Sequence, residues 1–198
     1  NLNLLSPLLG TNTPEPQFDF QIDPELSEEW DTLQNQNGVS SDYIIIHAGS
    51  GNSATNLNLE QYQILAETIL QETEWQILLT GSPAEAEINQ HLVDKFSGNQ
   101  IIDFSGKLNL VQLMEFIRNA RLLITSSTGP LHLADAQNTP VLGFFCPLPP
   151  HTPVRWGPYQ QSEWVVSPDL KSPDRCRMKD CPYGGCLQQL SSNQIVEA

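Results

Sequence analysis

One stretch of the sequence, residues 125–145, alternates strand and helix signals closely enough to constrain the class of fold. It follows directly on an apolar, β-branched run at residues 121–125, which is typical of an interior strand. A polar turn at residues 126–129 comes next, and Pro130 suits the first turn of a helix, where the amide that proline lacks would be unpaired anyway. A second apolar run, residues 140–145, closes the unit. This order predicts a helix whose N-terminus faces one edge of a parallel sheet.

The same alternation of apolar runs and amphipathic segments begins near residue 42. Apolar runs predict strands at residues 43–47, 75–80, 100–103, 121–125 and 140–145. Apolar residues at helical spacing predict a helix over residues 59–72. Pro83 suits the first turn of a second helix, over residues 83–96, and a third is expected over residues 110–119. Strands that alternate with helices in this way indicate an α/β fold with a Rossmann-like, doubly wound parallel sheet. Ligands of such folds bind at the carboxyl ends of the strands.

Changes in composition predict a division into three regions. Residues 1–40 are interrupted repeatedly by Pro and Gly and are expected to be a connector, with an acidic helix from Pro24 to about Gln36. Residues 41–170 are expected to form the sheet domain. Residues 171–198 are expected to form a cysteine-containing tail and a helix.

The charge distribution argues against several classes of partner. The formal net charge is -14, and no Lys or Arg precedes Lys95, which disfavours nucleic acid and anionic lipid as direct partners. There is no signal-peptide pattern, and no apolar run approaches the roughly 18 to 20 residues of a membrane span. A cytoplasmic location is therefore expected. Because the chain begins at Asn1 without a Met, we expect it to be a piece of a longer protein.

The polar turn before Pro130 is the first candidate for a binding site. The hydroxyl residues Ser126, Ser127 and Thr128 are suited to capping a helix, and Gly129 lets a ligand approach the backbone closely. Unpaired amides and the helix macrodipole predict a phosphate or diphosphate site here. The alternative is an ordinary capped turn between a strand and a helix.

These residues also carry a family resemblance. The motifs are Ser127-Thr-Gly-Pro-Leu-His132, Asn138-Thr-Pro-Val-Leu-Gly-Phe-Phe145, Arg155-Trp-Gly-Pro-Tyr159, Ile44-Ile-Ile-His-Ala-Gly-Ser50 and three cysteines near the end of the chain. Together they resemble the carboxyl-terminal half of family 9 glycosyltransferases, the heptosyltransferase group that elongates the lipopolysaccharide core. The resemblance implies a GT-B architecture, in which two Rossmann-like domains face each other across a cleft. It makes this chain the donor-binding domain and makes residues 1–40 the end of the acceptor domain with the interdomain connector.

The resemblance implies which residues hold the diphosphate of the donor. The family motif falls on Ser127, Thr128, Gly129 and His132. His132 lies one turn into the helix, where its ring either donates to the ligand or simply packs between helices. A second set of amides, from the loop Gly49, Ser50 and Gly51, is expected to form an anion nest, although such a sequence is often only a turn.

Four further residues are candidates for contacts with the nucleoside or the sugar. Gly81 and Glu85 resemble a family Gly followed by a helix-borne Glu that meets the nucleoside, but an acid also suits the first turn of any helix. Ser105, in the next strand-to-helix loop, is expected near the base. Arg155 either meets an anionic sugar or phosphate or pairs with one of the many acids.

Two departures from the family pattern affect these expectations. Ser127 stands where many members have Asp, and residues 53–56 contain no Lys in the loop where members have one. The missing ammonium removes a charge-assisted contact of ~1.5 to 3 kcal/mol from the diphosphate. The sequence thus predicts weaker donor binding or a different donor.

The cysteines allow several interpretations. Cys176, Cys181 and Cys186 are separated by four residues each, unlike the two-residue spacing of a common zinc knuckle. They are reduced structural thiols, a disulfide or metal ligands. Cys146 is expected to be a small apolar filler at the end of a strand.

The sequence therefore predicts the donor-binding domain of an inverting, metal-independent glycosyltransferase that needs no cofactor. By family analogy it transfers a heptose-like sugar from ADP to a glycan or lipopolysaccharide-core-type acceptor. The general base is expected on an N-terminal acceptor domain, so the chain alone should bind nucleotide without turnover, and the full-length protein is expected at the inner face of the inner membrane. The alternatives are a non-catalytic nucleotide- or sugar-binding module and an epimerase of similar two-domain build.

Overall fold

A computed structural model describes residues 24–96, 98, 100–161, 164–170 and 180–198, together with Pro7 and Phe18. For residues 24–29 it describes the backbone only. Most of the predicted connector before Pro24, and Cys176, lie outside the described residues.

Strands and helices alternate along the chain as the sequence predicts. The strands are β1 (Tyr43–His47), β2 (Gln76–Thr80), β3 (Ile101–Asp103), β4 (Leu123–Ser126), β5 (Val141–Phe144) and β6 (Val165–Val166). The helices are α1 (Pro24–Asn37), α2 (Leu59–Glu72), α3 (Ala86–Lys95), α4 (Leu110–Asn119), α5 (Gly129–Ala136), α6 (Pro153–Trp156) and α7 (Ser192–Val196). Single 3-10 turns, Pro83–Glu85 and Leu187–Gln189, precede α3 and α7.

The strands form one parallel sheet in the order β3-β2-β1-β4-β5-β6. This confirms the predicted Rossmann-like doubly wound fold. Strand β6 was not predicted, because a two-residue strand is too short to leave a pattern in the sequence. Strand order reverses between β1 and β4, where Ile45 pairs with Leu123 and His47 pairs with Thr125. A reversal of this kind opens a crevice at the carboxyl ends of the two strands.

Helices cover both faces of the sheet, and each face has its own core. Side chains of α2, α3 and α7 pack on one face, with Ile44 and Ile46 of β1. Side chains of α1, α4 and α5 pack on the other, with Tyr43 and Ile45. Because both faces of the inner strands are buried, their sequences are continuous apolar runs without polar alternation.

The segments that flank the predicted sheet domain pack against it. Trp30 of α1 contributes to the core beside α4. At the other end, Leu187 and Ile195 belong to the core beside α2, where the Gln61 side chain donates to the Leu187 carbonyl at 2.8 Å. Boundaries at residues 40 and 170 therefore stay a prediction about the longer protein. None of the helices in the described part of the chain has the length and apolarity that a membrane crossing needs.

Asparagine side chains start two of the helices where the sequence predicts. Asn58 and Gln61 form a reciprocal capping box at α2, and Asn109 and Gln112 form another at α4. Each box satisfies two amides that a helix would otherwise leave unpaired.

Gly143, in the middle of β5, tests how tightly this side of the sheet is packed. A Cβ at this position would lie 2.6 Å from Cε2 of Phe145 and 3.0 Å from Cδ1 of Leu131, and both side chains are buried. We expect Gly143→Ala to lower the free energy of unfolding by about 1–3 kcal/mol because the ring must shift. Urea unfolding measures the change. Gly129→Ala, whose Cβ has no neighbour within 4 Å, should not destabilise, and equal stability of the two variants would contradict this packing.

Candidate functional site

The crevice at the carboxyl ends of β1 and β4 contains a cavity of about 350 Å³. The loop after β1 contributes Ser53 to its wall, and the turn into α5 contributes residues 127–129. The structure brings five of the predicted residues together here, namely Ser127, Thr128, Gly129, His132 and Arg155. Pro150, His151 and Trp156 complete the wall.

The N-terminus of α5 faces this cavity without a side-chain cap. Thr128 is the N-cap, but its hydroxyl makes no capping hydrogen bond and lies 2.9 Å from Oγ1 of Thr125. Thr125 donates its proton to the His47 carbonyl, so Thr128 donates to Thr125. Thr128 thus occupies the N-cap position, but the expectation that its hydroxyl caps the helix is wrong, because that hydroxyl is turned towards β4. A Cβ at Gly129 would have no neighbour within 4 Å, so a ligand can reach the first-turn amides.

His132 lies on the open side of α5. Its side chain is exposed and lines the cavity, one turn after Gly129. The alternative of a histidine packed between helices does not fit this exposure. The imidazole is placed to donate to an anion that sits on the helix N-terminus.

Arg155, on the short helix α6, also lines this cavity. Its guanidinium carbon lies 5.0 Å from the ring centroid of Trp156, and the Trp156 indole donates to the Pro150 carbonyl at 3.0 Å. Within the described ranges Arg155 takes part in no ion pair. Pairing with a neighbouring acid, the alternative expected from the sequence, is therefore not seen there. The guanidinium is held against an aromatic surface and is available to an anion in the cavity.

The loop after β1 is occupied by the chain's own carboxylate. The Gly51 amide donates to Oε1 of Glu85 at 2.9 Å, and the Ser82 amide and hydroxyl donate to Oε2, both at 2.8 Å. A Cβ on Gly49 would collide with this carboxylate, which explains the glycine. Ser50 turns inward and donates to the Ala54 carbonyl at 2.9 Å. A phosphate that bound here would have to replace Glu85 as the acceptor of the hydrogen bond from the Gly51 amide.

The electrostatics of this loop keep Glu85 ionised. Partial burial alone would raise the pKa of Glu85, but the Gly51 and Ser82 donors hold it below its usual value. Burial lowers the pKa of His47, against an opposing attraction from Glu85, so the imidazole is neutral near pH 7. Its Nδ1 lies 2.9 Å from Oγ1 of Thr80. The crevice thus presents a fixed negative charge beside a neutral ring.

A second cavity, of about 410 Å³, lies beside Glu85 between the starts of α2 and α3. Gly49, Glu87 and His91 contribute to its lining. Gly81 does not line this cavity but lies directly under Glu85, since a Cβ there would be 3.4 Å from Oε2.

Ser105 lines neither of the two cavities, because its hydrogen bonds face inward. The hydroxyl donates to Oδ1 of Asp103 at 2.6 Å and accepts from the buried Asn89 amide at 2.7 Å.

None of the three cysteines in the described ranges forms a disulfide. Cys146 and Cys186 are buried, and Cys181 is partly exposed. Cys186 donates a hydrogen bond to Cys146, and this bond together with burial raises the pKa of the Cys186 thiol, which disfavours the reactive thiolate. No group of acidic, His or Cys side chains in the described ranges is arranged to hold a metal ion. The expectation that Cys146 is a small buried filler fits its place in the core beside α2.

Comparison with known proteins places this chain in a family. The sequence profile of glycosyltransferase family 9 (heptosyltransferase) matches residues 1–186. A Haemophilus influenzae protein described as a glycosyltransferase is 37% identical over 128 residues, which are 64% of this chain and 37% of that protein. The lipopolysaccharide core heptosyltransferase OpsX of the same organism is 26% identical over 165 residues, 80% of this chain and 44% of OpsX. The chain thus spans less than half the length of both relatives.

Solved structures share the fold over nearly the whole chain. A family 9 glycosyl transferase from Veillonella parvula superposes with a TM-score of 0.77 at 23% identity, over 99% of this chain and 56% of that one. The ADP-heptose lipopolysaccharide heptosyltransferase II of E. coli superposes with a TM-score of 0.69 at 19% identity, over 93% and 54% of the two chains. At these identities the similarity establishes the fold.

Proposed function

Because this chain belongs to glycosyltransferase family 9, we propose that the crevice between β1 and β4 binds the diphosphate of a nucleotide-sugar donor. One observation carries the proposal: the uncapped N-terminus of α5 opens into a cavity that His132 and Arg155 also line. The first-turn amides and the macrodipole favour an anion at this position. Arg155 adds a full positive charge from α6.

The same groups supply the chemistry of sugar transfer. When the bond between the anomeric carbon and the diphosphate oxygen breaks, negative charge accumulates on the departing nucleoside diphosphate. Preorganised donors aimed at that charge lower the barrier. In this proposal the α5 amides, His132 and Arg155 stabilise the leaving group. The transfer is metal-independent, because these groups stabilise the negative charge that a metal ion stabilises in other enzymes.

The nucleoside extends from the diphosphate towards Glu85. Its ionised carboxylate can accept hydrogen bonds from ribose hydroxyls, and Gly81 beneath it leaves room for the Glu85 side chain. Ser105 lies in the next loop and is proposed to border the base, while its hydroxyl is bonded to Asp103 and to the buried Asn89 side chain. In this proposal the loop of Gly49, Ser50 and Gly51 lies against the donor, and the Gly51 amide changes partner from Glu85 to the donor.

We place the rest of the reaction in a part of the longer protein. The chain spans less than half the length of both curated relatives, and the described residues form one Rossmann-like unit. In a GT-B arrangement, an acceptor domain across the cleft would carry the general base and hold a glycan or lipopolysaccharide-core-type acceptor. The acceptor hydroxyl would attack opposite to the diphosphate and invert the anomeric centre. The donor proposed by analogy is an ADP-linked heptose, used on the cytoplasmic side of the inner membrane, and this chain alone should bind nucleotide without turnover.

Calorimetric titration with ADP, UDP and GDP tests the diphosphate site. We expect one nucleotide to bind, and we expect Arg155→Gln to raise its Kd at least about tenfold, since a charge-assisted contact is lost. Arg118→Gln is the matched control, because Arg118 is exposed on α4 and lines neither cavity. Equal effects of both variants would mean that only net charge matters. If none of the three nucleotides binds, the transferase proposal is contradicted, and a module that has lost donor binding is favoured.

A further inference from the structure

Asp135 is an acid at a place where local rules disfavour one. It lies in the last turn of α5, at the negative end of the helix macrodipole, and its side chain is only 3% exposed. Burial of a carboxylate is costly unless its oxygens are satisfied. In the part of the chain that the structure describes, Asp135 is in no ion pair. An unfavourable local choice of this kind calls for a compensating interaction elsewhere.

The compensation comes from the segment that follows α6. The Tyr159 amide donates to Oδ2 of Asp135 at 2.6 Å, and the Gln160 amide donates to Oδ1 at 3.0 Å. The Gln160 side chain donates back to the Asp135 carbonyl at 2.7 Å. Two backbone amides and one side chain therefore fasten residues 159–160 to the end of α5. Hydrogen bonds to an ionised acceptor are the stronger kind.

The two residues that Asp135 holds, 159 and 160, lie close to Arg155 in the sequence. Only Gly157 and Pro158 separate Tyr159 from Trp156, the last residue of α6. The turn between them is tight, because the Gly157 amide donates to the Pro153 carbonyl at 2.7 Å and a Cβ on Gly157 would lie 2.5 Å from that oxygen. The other side of α6 is held where the Trp156 indole donates to the Pro150 carbonyl.

We propose that Asp135 is the residue that positions Arg155 in the donor cavity. Asp135 does not itself line the cavity, so it acts through the backbone of residues 157–160 and through Trp156, on which the guanidinium rests. One helix then organises both sides of the site: its N-terminus receives the diphosphate, and its C-terminal turn holds the wall that carries the cation. The inference rests on the proposed function, since the cavity must bind a nucleoside diphosphate for the placement to matter.

A mutant cycle with Arg155 tests the proposal on the chain as it stands. The variants are Asp135→Ala, Asp135→Asn, Arg155→Gln and the double variant Asp135→Ala with Arg155→Gln. Thr139→Val is the stability control, because it removes a different buried hydrogen bond, to the Ile117 carbonyl, without touching residues 159–160. Each is titrated with ADP, UDP and GDP, and hydrogen exchange of the Tyr159 and Gln160 amides is measured without nucleotide.

We expect Asp135→Ala to speed exchange at both amides and to raise Kd about tenfold, as far as the loss of Arg155 itself raises it. Asp135→Asn keeps one acceptor and should fall between wild type and alanine. In the Arg155→Gln background, Asp135→Ala should change Kd by less than about twofold, because coupled residues are not additive. Thr139→Val should leave Kd unchanged.

Other results separate failure of this inference from failure of the proposed function. A folded Asp135→Ala variant with wild-type Kd, while Arg155→Gln binds weakly, would overturn the positioning role and leave the proposed function standing. Additive effects of the two substitutions would also overturn it. Wild-type protein that binds none of the three nucleotides would overturn the proposed function and this inference with it.

Discussion

Gly129→Asp is expected to raise the Kd for nucleoside diphosphate at least about 100-fold, while the fold stays as stable as before. The new carboxylate would occupy the open space at the start of α5 and accept from the amides proposed to hold the diphosphate. It would also repel the diphosphate, and two unit charges 4 Å apart near a protein surface interact by about 4 kcal/mol. Stability should not fall, because an acid in the first turn of a helix is favourable.

Gly129→Asn separates charge from size in this experiment. Asparagine has nearly the same shape as aspartate but no charge, so it should weaken binding less than Asp does. Calorimetry gives both Kd values, and urea unfolding shows whether either variant is destabilised. If Asp and Asn weaken binding equally, the effect comes from the volume of the side chain and not from its charge. If Asp leaves binding unchanged, the diphosphate does not sit at this helix.

Phe116→Ala should have the largest effect on stability. The Phe116 side chain is fully buried, and its ring centroid lies 5.0 Å from that of Phe104, 6.1 Å from that of Tyr43 and 6.4 Å from that of Trp30. These contacts join α1, β1 and α4. Removing the ring loses its burial and leaves a cavity among side chains that cannot collapse fully, which costs about 3–5 kcal/mol. Because whole domains are stable by only about 5–15 kcal/mol, the variant should be close to unfolding.

The matched control is Phe96→Ala, at the end of α3. Phe96 is only partly buried, so the same truncation there should cost clearly less. Urea unfolding followed by far-UV circular dichroism measures both variants, with the slope of the transition checked for constancy. Similar midpoints for the two would mean that the core beside α4 is looser than the aromatic contacts indicate.

Local patterns predicted the secondary structure closely. Helix α2 runs over residues 59–72 and α4 over residues 110–119, as predicted, and the structure adds that an asparagine side chain caps each of them. The predicted helix at residues 83–96 is a 3-10 turn followed by α3, since one capped Pro-Ala-Glu turn and a regular helix look alike in sequence. Strand β6 escaped prediction because its two residues pair only through β5.

For the site, the sequence predicted the residues of a local motif but did not predict hydrogen bonds between distant segments. The family resemblance was confirmed by a profile match over residues 1–186, and Ser127 to His132 do meet Arg155 around one cavity. The hydrogen bond from the Gly51 amide to Glu85 was not predicted. The two residues are 34 positions apart, and the local sequence around one contains no sign of the other. Asp135 was missed for the same reason, since an acid late in a helix carries no local sign of the distant amides it accepts.

The sequence alone determined the order of strands and helices, the parallel sheet and the family, because periodicity, caps and short motifs are properties of neighbouring residues. Only the tertiary structure decided which donors stay open and which are used within the chain. Thr128 turns to β4, Glu85 fills the loop after β1, and Asp135 holds the segment that carries Arg155. Each choice is a hydrogen bond between elements brought together by folding, and buried polar groups take whichever partner the packed sheet places within reach.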